Sequence, residues 1–445
     1  MSSPVATAPR RIVVVGGGAG GLELATLLGH TLGKPRRAEV FLVDSGLTHI
    51  WKPLLHEVAA GTLDSHEDEL SYLAQAHWHH FKFRLGRVDG VDRGRRVVRM
   101  APTLDDAGNE YIPARELEYD TLILAVGSVS NDFGISGVRE HCHFLDGRAQ
   151  AHRFHQHLLR SYYAAHTRQQ PLRPGQLHIA IVGAGATGVE LAAELHYATR
   201  ELIRYGLDRI DAEKHVRISI IEAADRILSG LPPRLSAQVS RELQAAGIEV
   251  LTSEKIVEAL PEGFRTAGGG FLPAEIKVWA AGIKAPDFLA RIDGLDCNRL
   301  NQLVVRPTLQ TTCDDDIFAF GDCAACPMRD APGDVPPRAQ AAHQQAAMLA
   351  NSMKRRLEGR PLPEYHYVDY GSLINLSQYS TVGSLMGNIA RLCSPTLFIE
   401  GFLARFVYLS LYKMHQVALH GLFRTVLVTL ANILTRRTRP RMKLH

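Results

Sequence analysis

The chain has 445 residues, 46% of them apolar and 22% charged, which excludes a fibrous or largely disordered protein and supplies core for two or three domains. Its net charge of +4 is unevenly distributed: residues 401–445 carry eight Lys or Arg and no Asp or Glu, leaving 42 basic against 46 acidic side chains in the other 400 residues. A basic tail on an acidic body points to an anionic lipid surface rather than to nucleic acid.

Met1 to Arg10 has no apolar stretch of the signal-peptide kind, so the folded core is expected in the cytoplasm. Six scattered cysteines fit a reducing compartment without structural disulfides. The first patterned run, Arg11-Ile-Val-Val-Val15, has the continuous apolar character of a parallel strand buried on both faces. It leads into a GxGxxG turn, Gly16-Gly17-Gly18-Ala19-Gly20-Gly21, and then a helical stretch, Leu22 to Leu28. Strand Glu39 to Val43 follows and ends in Asp44. Glycines at 16, 18 and 21 let the backbone turn tightly against a pyrophosphate, whose charge is met by N–H groups and the helix dipole, and the acid accepts hydrogen bonds from ribose hydroxyls. An apolar run from Tyr119 ends this unit in the small-residue turn at Ser128.

The same pattern recurs. Strand His178 to Val182 opens into Gly183-Ala184-Gly185-Ala186-Thr187-Gly188, helix Val189 to Leu195 and strand Arg217 to Ile221, which ends in Glu222. Two complete copies predict two bound dinucleotides. Glu222 would repel a 2′-phosphate and so favours NADH over NADPH, although Arg226 nearby works against that preference. Ile276 to Gly282 closes the second unit, and Asp316 to Asp322 reads as a return to the first. The fold class is therefore α/β, with two nested Rossmann-like domains: residues 9–171 begin the first, 172–284 form the second and 285–350 complete the first. Residues 351–395 read as a small capping sheet of short strands, Tyr365–Tyr370, Gly371–Asn375 and Ser380–Gly383.

Residues 396–445 form an amphipathic segment. The longest run without charge, Thr425 to Thr435, is eleven residues, short of the roughly 20 that cross a bilayer. Arg405, Lys413 and Arg424 share one side of a helical wheel and leave Phe402, Phe406, Leu409 and Leu422 on the other. That is the pattern of an interfacial membrane anchor, a helix or helix pair broken near Gly421. A buried C-terminal or dimerisation helix is the competing reading.

Taken together these landmarks resemble the two-dinucleotide-binding-domain flavoproteins and, within them, the type II NADH:quinone dehydrogenases, single-subunit enzymes that do not pump protons. The resemblance covers nearly the whole chain and is carried by both glycine turns, His49-Ile-Trp-Lys-Pro-Leu-Leu-His-Glu-Val-Ala-Ala-Gly61, Ala125-Val-Gly-Ser128, Ile317 to Cys323 and Arg338-Ala-Gln-Ala-Ala-His-Gln-Gln-Ala346. It implies that Gly16, Gly18, Gly21 and Asp44 bind FAD, with Asp322 near the ribityl chain and Lys52 and Pro53 beside the flavin ring. It implies NADH at Gly183, Gly185, Gly188 and Glu222, with Gly282 near the nicotinamide ribose, and a membrane quinone at Gln340 and Gln344. A homodimer lying monotopically on the cytoplasmic face of the inner membrane is the expected assembly.

Hydride transfer asks the protein for orientation, whereas quinone reduction also asks it for protons. Glu190 is read on the first turn of the second motif's helix. The dipole there lowers a carboxyl pKa and burial raises it. A helix-start acid with a structural role is the plain alternative; the resemblance makes Glu190 a proton-relay and nicotinamide-contact residue. Gln340 and Gln344, one helical turn apart, offer amide donors to a carbonyl, or else form an ordinary polar helix face. Cys323-Ala-Ala-Cys326 reads as packed small residues after Asp322 rather than a redox pair or zinc site, and His77-Trp-His-His80 as a surface cluster, so no metal is expected. A sulfide:quinone oxidoreductase would need cysteines that the stretch from Asp44 to Gly61 lacks. A non-enzymatic, NADH-responsive membrane scaffold is the rival from another class.

Overall fold

The computed structural model describes residues 9–64, 69–105, 107–168, 170–377, 380–385, 397–400, 413, 416–419, 421–435 and 442. In chain order the elements that matter for function are β1 (Arg10–Val15), α1 (Ala19–Leu28), β2 (Ala38–Asp44), α2 (Leu55–Ala60), β3 (Lys82–Leu85), β4 (Thr121–Leu124), α3 (Arg148–Thr167), β5 (His178–Val182), α4 (Ala186–Arg204) and β6 (Arg217–Ile221). There follow α5 (Pro233–Ala245), β7 (Glu249–Leu251), β8 (Ile276–Trp279), β9 (Ile317–Ala319), α6 (Ala339–Leu357), β10 (Gly371–Leu376), β11 (Ser380–Leu385), β12 (Leu397–Glu400) and α7 (Leu422–Thr435).

The chain divides into two compact units, each assembled from separate stretches. The first comprises Met1–Trp51, Glu69–Val129 and Ile283–Asp369. Its core is a five-stranded, wholly parallel sheet in the order β9-β4-β1-β2-β3. β9 comes from the far end of the sequence to pair with β4, as the run from Asp316 to Asp322 predicts. Every residue of β4 is buried, which is why the strand is apolar throughout rather than alternating. α1 packs on α6. A side chain at Gly20 would run into Phe320 and Ala342, so this glycine permits the close approach.

The second unit comprises Lys52–Asp68, Ser130–Gly282 and Tyr370–His445. Its parallel sheet runs β7-β6-β5-β8, the order of β3-β2-β1-β4 in the first unit. The recurrence seen in the sequence is therefore a recurrence of topology. Ala180, Val182, Ile221, Phe264 and Trp279 anchor the core beneath it. Helix α3 packs on α2 and so belongs to this unit, although the sequence groups residues 148–167 with the first.

The region read as a capping sheet contributes β10 and β11 to a three-stranded antiparallel sheet whose third strand, β12, comes from the segment read as the membrane anchor. Residues 365–370, read as its first strand, form no strand, for a reason that appears below. Gly421 takes a φ of +77° and α7 starts immediately after it, so the expected break is present. On α7, Leu422, Phe423, Leu427, Leu430 and Leu434 are each more than half exposed. Among the described residues no helix is long and apolar enough to cross a membrane. Phe402, Arg405, Phe406, Leu409 and the basic run Arg436, Arg437, Arg439, Arg441 and Lys443 lie outside the described residues.

Candidate active site

The glycine turn of the first unit leaves the carboxyl end of β1, the place where an open parallel sheet presents its ligand-binding crevice. Gly16 has a φ of +102°, and a Cβ there would meet the Ala125 carbonyl. A Cβ at Gly21 would strike the Gly16 carbonyl oxygen, so this glycine brings helix and turn into contact. Gly18 differs from both. It is the N-cap of α1, makes no side-chain cap, and a Cβ there would touch nothing within 4 Å. The first turn of α1 thus carries no capping side chain and no acid, and Gly18 before it leaves open space, the arrangement that attracts a phosphate. Asp44 ties the turn together: Oδ2 accepts from Gly17 N–H at 2.6 Å and Oδ1 from Gly46 N–H at 2.8 Å.

The second unit repeats this almost atom for atom. Gly183 has a φ of +103°, a Cβ at Gly188 would strike the Gly183 carbonyl oxygen, and Gly185 is an uncapped N-cap open to 4 Å. Glu222 takes the part of Asp44, accepting from Ala184 N–H at 2.8 Å and Ala224 N–H at 2.9 Å. The Arg226 guanidinium donates to the Ser229 carbonyl at 2.8 Å, three residues along its own loop. Gly282, with a φ of +68°, closes this unit, and a Cβ there would collide with the Phe133 ring. Lys52 and Pro53 belong to the second unit and are exposed on a short 3-10 turn leading into α2.

In the first unit Asp322 sits on a turn after β9, where Oδ2 accepts from the Ser128 hydroxyl at 2.8 Å. Two glutamines support this turn: Gln302 donates to the Asp322 carbonyl at 2.9 Å, and buried Gln345 accepts from Gly321 N–H at 2.8 Å. Sequence reasoning passes over Gln345, although it lies inside the Ala-Gln-x-Ala-x-Gln-Gln segment. Cys323 and Cys326 are both buried, and burial pushes their thiols up to about 11 and about 12. Neither is a thiolate at neutral pH, as a redox dithiol requires.

Gln340 and Gln344 lie on one face of α6, and both side chains hold residues 365–369. Gln344 Nε2 donates to the Val368 carbonyl at 2.8 Å while its Oε1 accepts from Val368 N–H at 3.0 Å, imitating a strand partner. Gln340 Nε2 donates to the Tyr367 hydroxyl at 3.1 Å and to Asp369 at 3.2 Å, and Asp369 also pairs with Arg338. Alternation in Tyr365 to Tyr370 reads as a strand, but the backbone of Val368 pairs with the Gln344 amide side chain instead of a neighbouring strand. His343, one position before Gln344, pairs with buried Glu23 at 2.7 Å, which raises the imidazole pKa. Glu23 follows Gly21 by two residues as Glu190 follows Gly188, a correspondence visible in the sequence.

Glu190 opens the second turn of α4 rather than lying on its first, since the helix begins at Ala186. The dipole is thus a weaker influence than the sequence reading allows, and burial raises the carboxyl pKa to about 8. Its Oε1 accepts from Asn375 N–H at 3.0 Å, binding α4 to β10.

The profile of the pyridine nucleotide-disulphide oxidoreductases matches residues 10–346. A type II NADH:quinone oxidoreductase of Haemophilus influenzae is 44% identical over 98% of this chain and 100% of its own length, and one of Staphylococcus aureus is 29% identical over 85% of this chain and 90% of its own. The fold is similar to that of NDH2 from Plasmodium falciparum in complex with NADH, with a TM-score of 0.79, 18% identity and coverage of 98% of this chain and 100% of that one. It is also similar to the sulfide:quinone oxidoreductase of Aquifex aeolicus, with a TM-score of 0.71, 17% identity and coverage of 93% and 92%. At such identities the structures speak for the fold alone, while the full-length likeness at 44% identity speaks for the family. With two dinucleotide cradles on two parallel sheets, the chain belongs to the pyridine nucleotide-disulphide oxidoreductase family and, within it, to the type II NADH:quinone oxidoreductases.

Proposed function

We infer that the chain is an FAD-dependent enzyme that takes a hydride from NADH and passes two electrons to a quinone without pumping protons. The observation that carries this reading is the twin cradle: two uncapped helix N-termini, each reached through a glycine turn braced by an acid, with Gly18 and Gly185 left open where a pyrophosphate must meet the backbone. FAD, when bound, supplies the acceptor for the hydride and the donor for the second substrate. Gly16, Gly18, Gly21 and Asp44 hold it in this reading, with Asp322 toward the ribityl chain and Lys52 and Pro53 toward the ring. Gly183, Gly185, Gly188 and Glu222 hold NADH, with Gly282 at the nicotinamide ribose.

The chain's remaining task is to orient the quinone and give it a proton. Gln340 and Gln344 meet the quinone with side chains already oriented by residues 365–369, which lowers the ordering cost of binding. Glu190 holds a proton at neutral pH, because burial favours its neutral form, and is the donor in this reading. The exposed apolar side chains of α7 support attachment to an anionic lipid surface, with the protein monotopic on the cytoplasmic face of the inner membrane. The resemblance to the quinone-reducing enzymes is the ground for a homodimer. The sulfide-oxidising alternative is disfavoured by the buried, protonated thiols of Cys323 and Cys326.

Anaerobic mixing tests the whole reading. NADH should bleach the flavin absorbance, and a soluble quinone should restore it. A flavin that NADH bleaches and quinone leaves bleached would sink the quinone assignment. A flavin inert to NADH would favour the non-enzymatic scaffold.

A further inference from the structure

The second unit buries a polar cluster that dinucleotide binding does not call for. His56, on α2, is 2% exposed, and its two ring nitrogens face two carboxylates: Nδ1 lies 4.0 Å from Glu190 Oε2, and Nε2 lies 3.9 Å from Glu57 Oε1. Nε2 has no hydrogen-bond partner among the described residues. A buried polar atom in that condition is costly and rare. With Nε2 unpartnered, it is Nδ1–H that donates to the Pro53 carbonyl, which fixes the ring's position and tautomer. Glu190 is anchored through Oε1 by Asn375, so its Oε2 is the oxygen turned to His56. The Glu57 side chain is 21% exposed, against 2% for His56 and 10% for Glu190, so Glu57 is the wettest of the three groups. The packed helices bring two more titratable groups: Glu194 from α4, which accepts from the Thr62 hydroxyl, and His155 from α3, whose ring closes against Gly61.

The reaction needs such a path. NADH brings two electrons and one proton as a hydride, whereas a quinone becomes a quinol with two electrons and two protons. One further proton per turnover must therefore come from water, and Glu57, the most exposed of the three groups, is the one placed to collect it.

We propose that His56 reloads Glu190 with this proton, accepting it at Nε2 from Glu57 and water while its Nδ1 proton leaves the Pro53 carbonyl for Glu190 Oε2. The step rests on the reading of Glu190 as proton donor to the quinone. An O–H bond of Glu57, replenished by water, breaks as the N–H bond at Nε2 forms, and the N–H bond at Nδ1 breaks as the O–H bond of Glu190 is remade. No electron moves, and a half-turn of the ring restores the starting tautomer. Shifts of about 1 Å bring each 4 Å gap to hydrogen-bonding distance. Burial suits the ring for the work, holding its pKa down to about 4, so that the imidazole is neutral with one nitrogen able to accept. His56 acts through Glu190 and is a positioning residue for its proton.

The test uses the FAD-loaded, full-length enzyme. In rapid mixing with a soluble quinone, reduced His56→Gln should reoxidise about tenfold more slowly or worse, while its bleaching by NADH stays within about twofold of wild type. Imidazole should restore reoxidation to His56→Ala. A second readout needs no turnover: the infrared band of the Glu190 carboxylic acid, identified by its loss in Glu190→Gln, should exchange into D2O more slowly in His56→Gln. Should His56→Gln lose its flavin, Glu57→Gln, which leaves the buried ring in place, should show the same slowed exchange. Wild-type reoxidation and exchange in the His56 and Glu57 variants, with a slow Glu190→Gln, would overturn the relay and leave Glu190 in its role. A fast Glu190→Gln would instead overturn the reading of Glu190 itself.

Discussion

Gly185 and Gly188 stand three residues apart in one turn, yet the same substitution has opposite consequences at the two positions. Gly185 has a φ of −71° and open space around it, so Ala fits the protein without strain and projects only into the volume assigned to a pyrophosphate. Gly185→Ala should keep its Tm within about 2 °C of wild type and raise the KM for NADH about tenfold or more. Gly188→Ala should fail to fold, because its Cβ strikes a backbone oxygen that cannot move aside. Calorimetry and steady-state kinetics check both, and an unchanged KM in Gly185→Ala would move the pyrophosphate elsewhere. Glu190 adds a dependence on pH. Its carboxyl titrates at an ordinary 4.5 in the unfolded chain and at about 8 in the fold. Its stabilising contribution is whole below about pH 4.5 and is lost as pH rises toward 8, because the unfolded chain sheds the proton first. Urea denaturation at pH 6 and pH 8 should therefore show wild type weakening more than Glu190→Gln, by a few kcal/mol on the order of 1.4 per pKa unit. Parallel losses in the two proteins would show that Glu190 ionises freely in the fold.

The elements differ in how far they can be read from the sequence. β1, β5 and the two glycine turns are legible because their causes are local: an apolar run, a required positive φ and an acid at the end of the next strand. The return of β9 to the first sheet is legible from its apolar run and the Gly-Asp that ends it. Residues 365–369 are not, because the Gln344 side chain supplies at Val368 the pairing that a neighbouring strand supplies elsewhere. His56 beside Glu190 is equally hidden, since only the packing of α2 on α4 brings together residues so distant in the chain. The amide pairing also complicates what Gln344 does. Gln344→Ala removes the bonds to Val368 and should cost about 1–3 kcal/mol of stability as well as slowing flavin reoxidation by quinone. Gln340→Ala, which leaves the Val368 pairing intact, should slow reoxidation with less loss of stability. Stopped-flow absorbance separates the effects: if bleaching by NADH slows as much as reoxidation, the glutamines do not serve the quinone.

At the scale of the whole molecule, a basic, apolar tail is carried by an otherwise acidic chain. Because β12 completes the antiparallel sheet with β11, a deletion that spares the fold must fall after Glu400 and not earlier. The protein cut there should no longer sediment with anionic vesicles, yet keep its FAD and oxidise NADH with a small soluble acceptor. Full-length protein should be released only in part by high salt, since salt screens the charges and leaves the apolar side chains of α7 inserted. A truncated protein that still sediments with vesicles, or that loses its flavin, would assign α7 to a core or a dimer contact instead.

The duplicated cradle carries one more consequence. Because each copy is braced by its own acid and opened by its own central glycine, one can be blocked by a single methyl group while the other is untouched. A Gly185→Ala protein adsorbed on an electrode would receive its electrons from the metal instead of from a nucleotide and still hand them to quinone, a current-driven catalyst made from a respiratory enzyme.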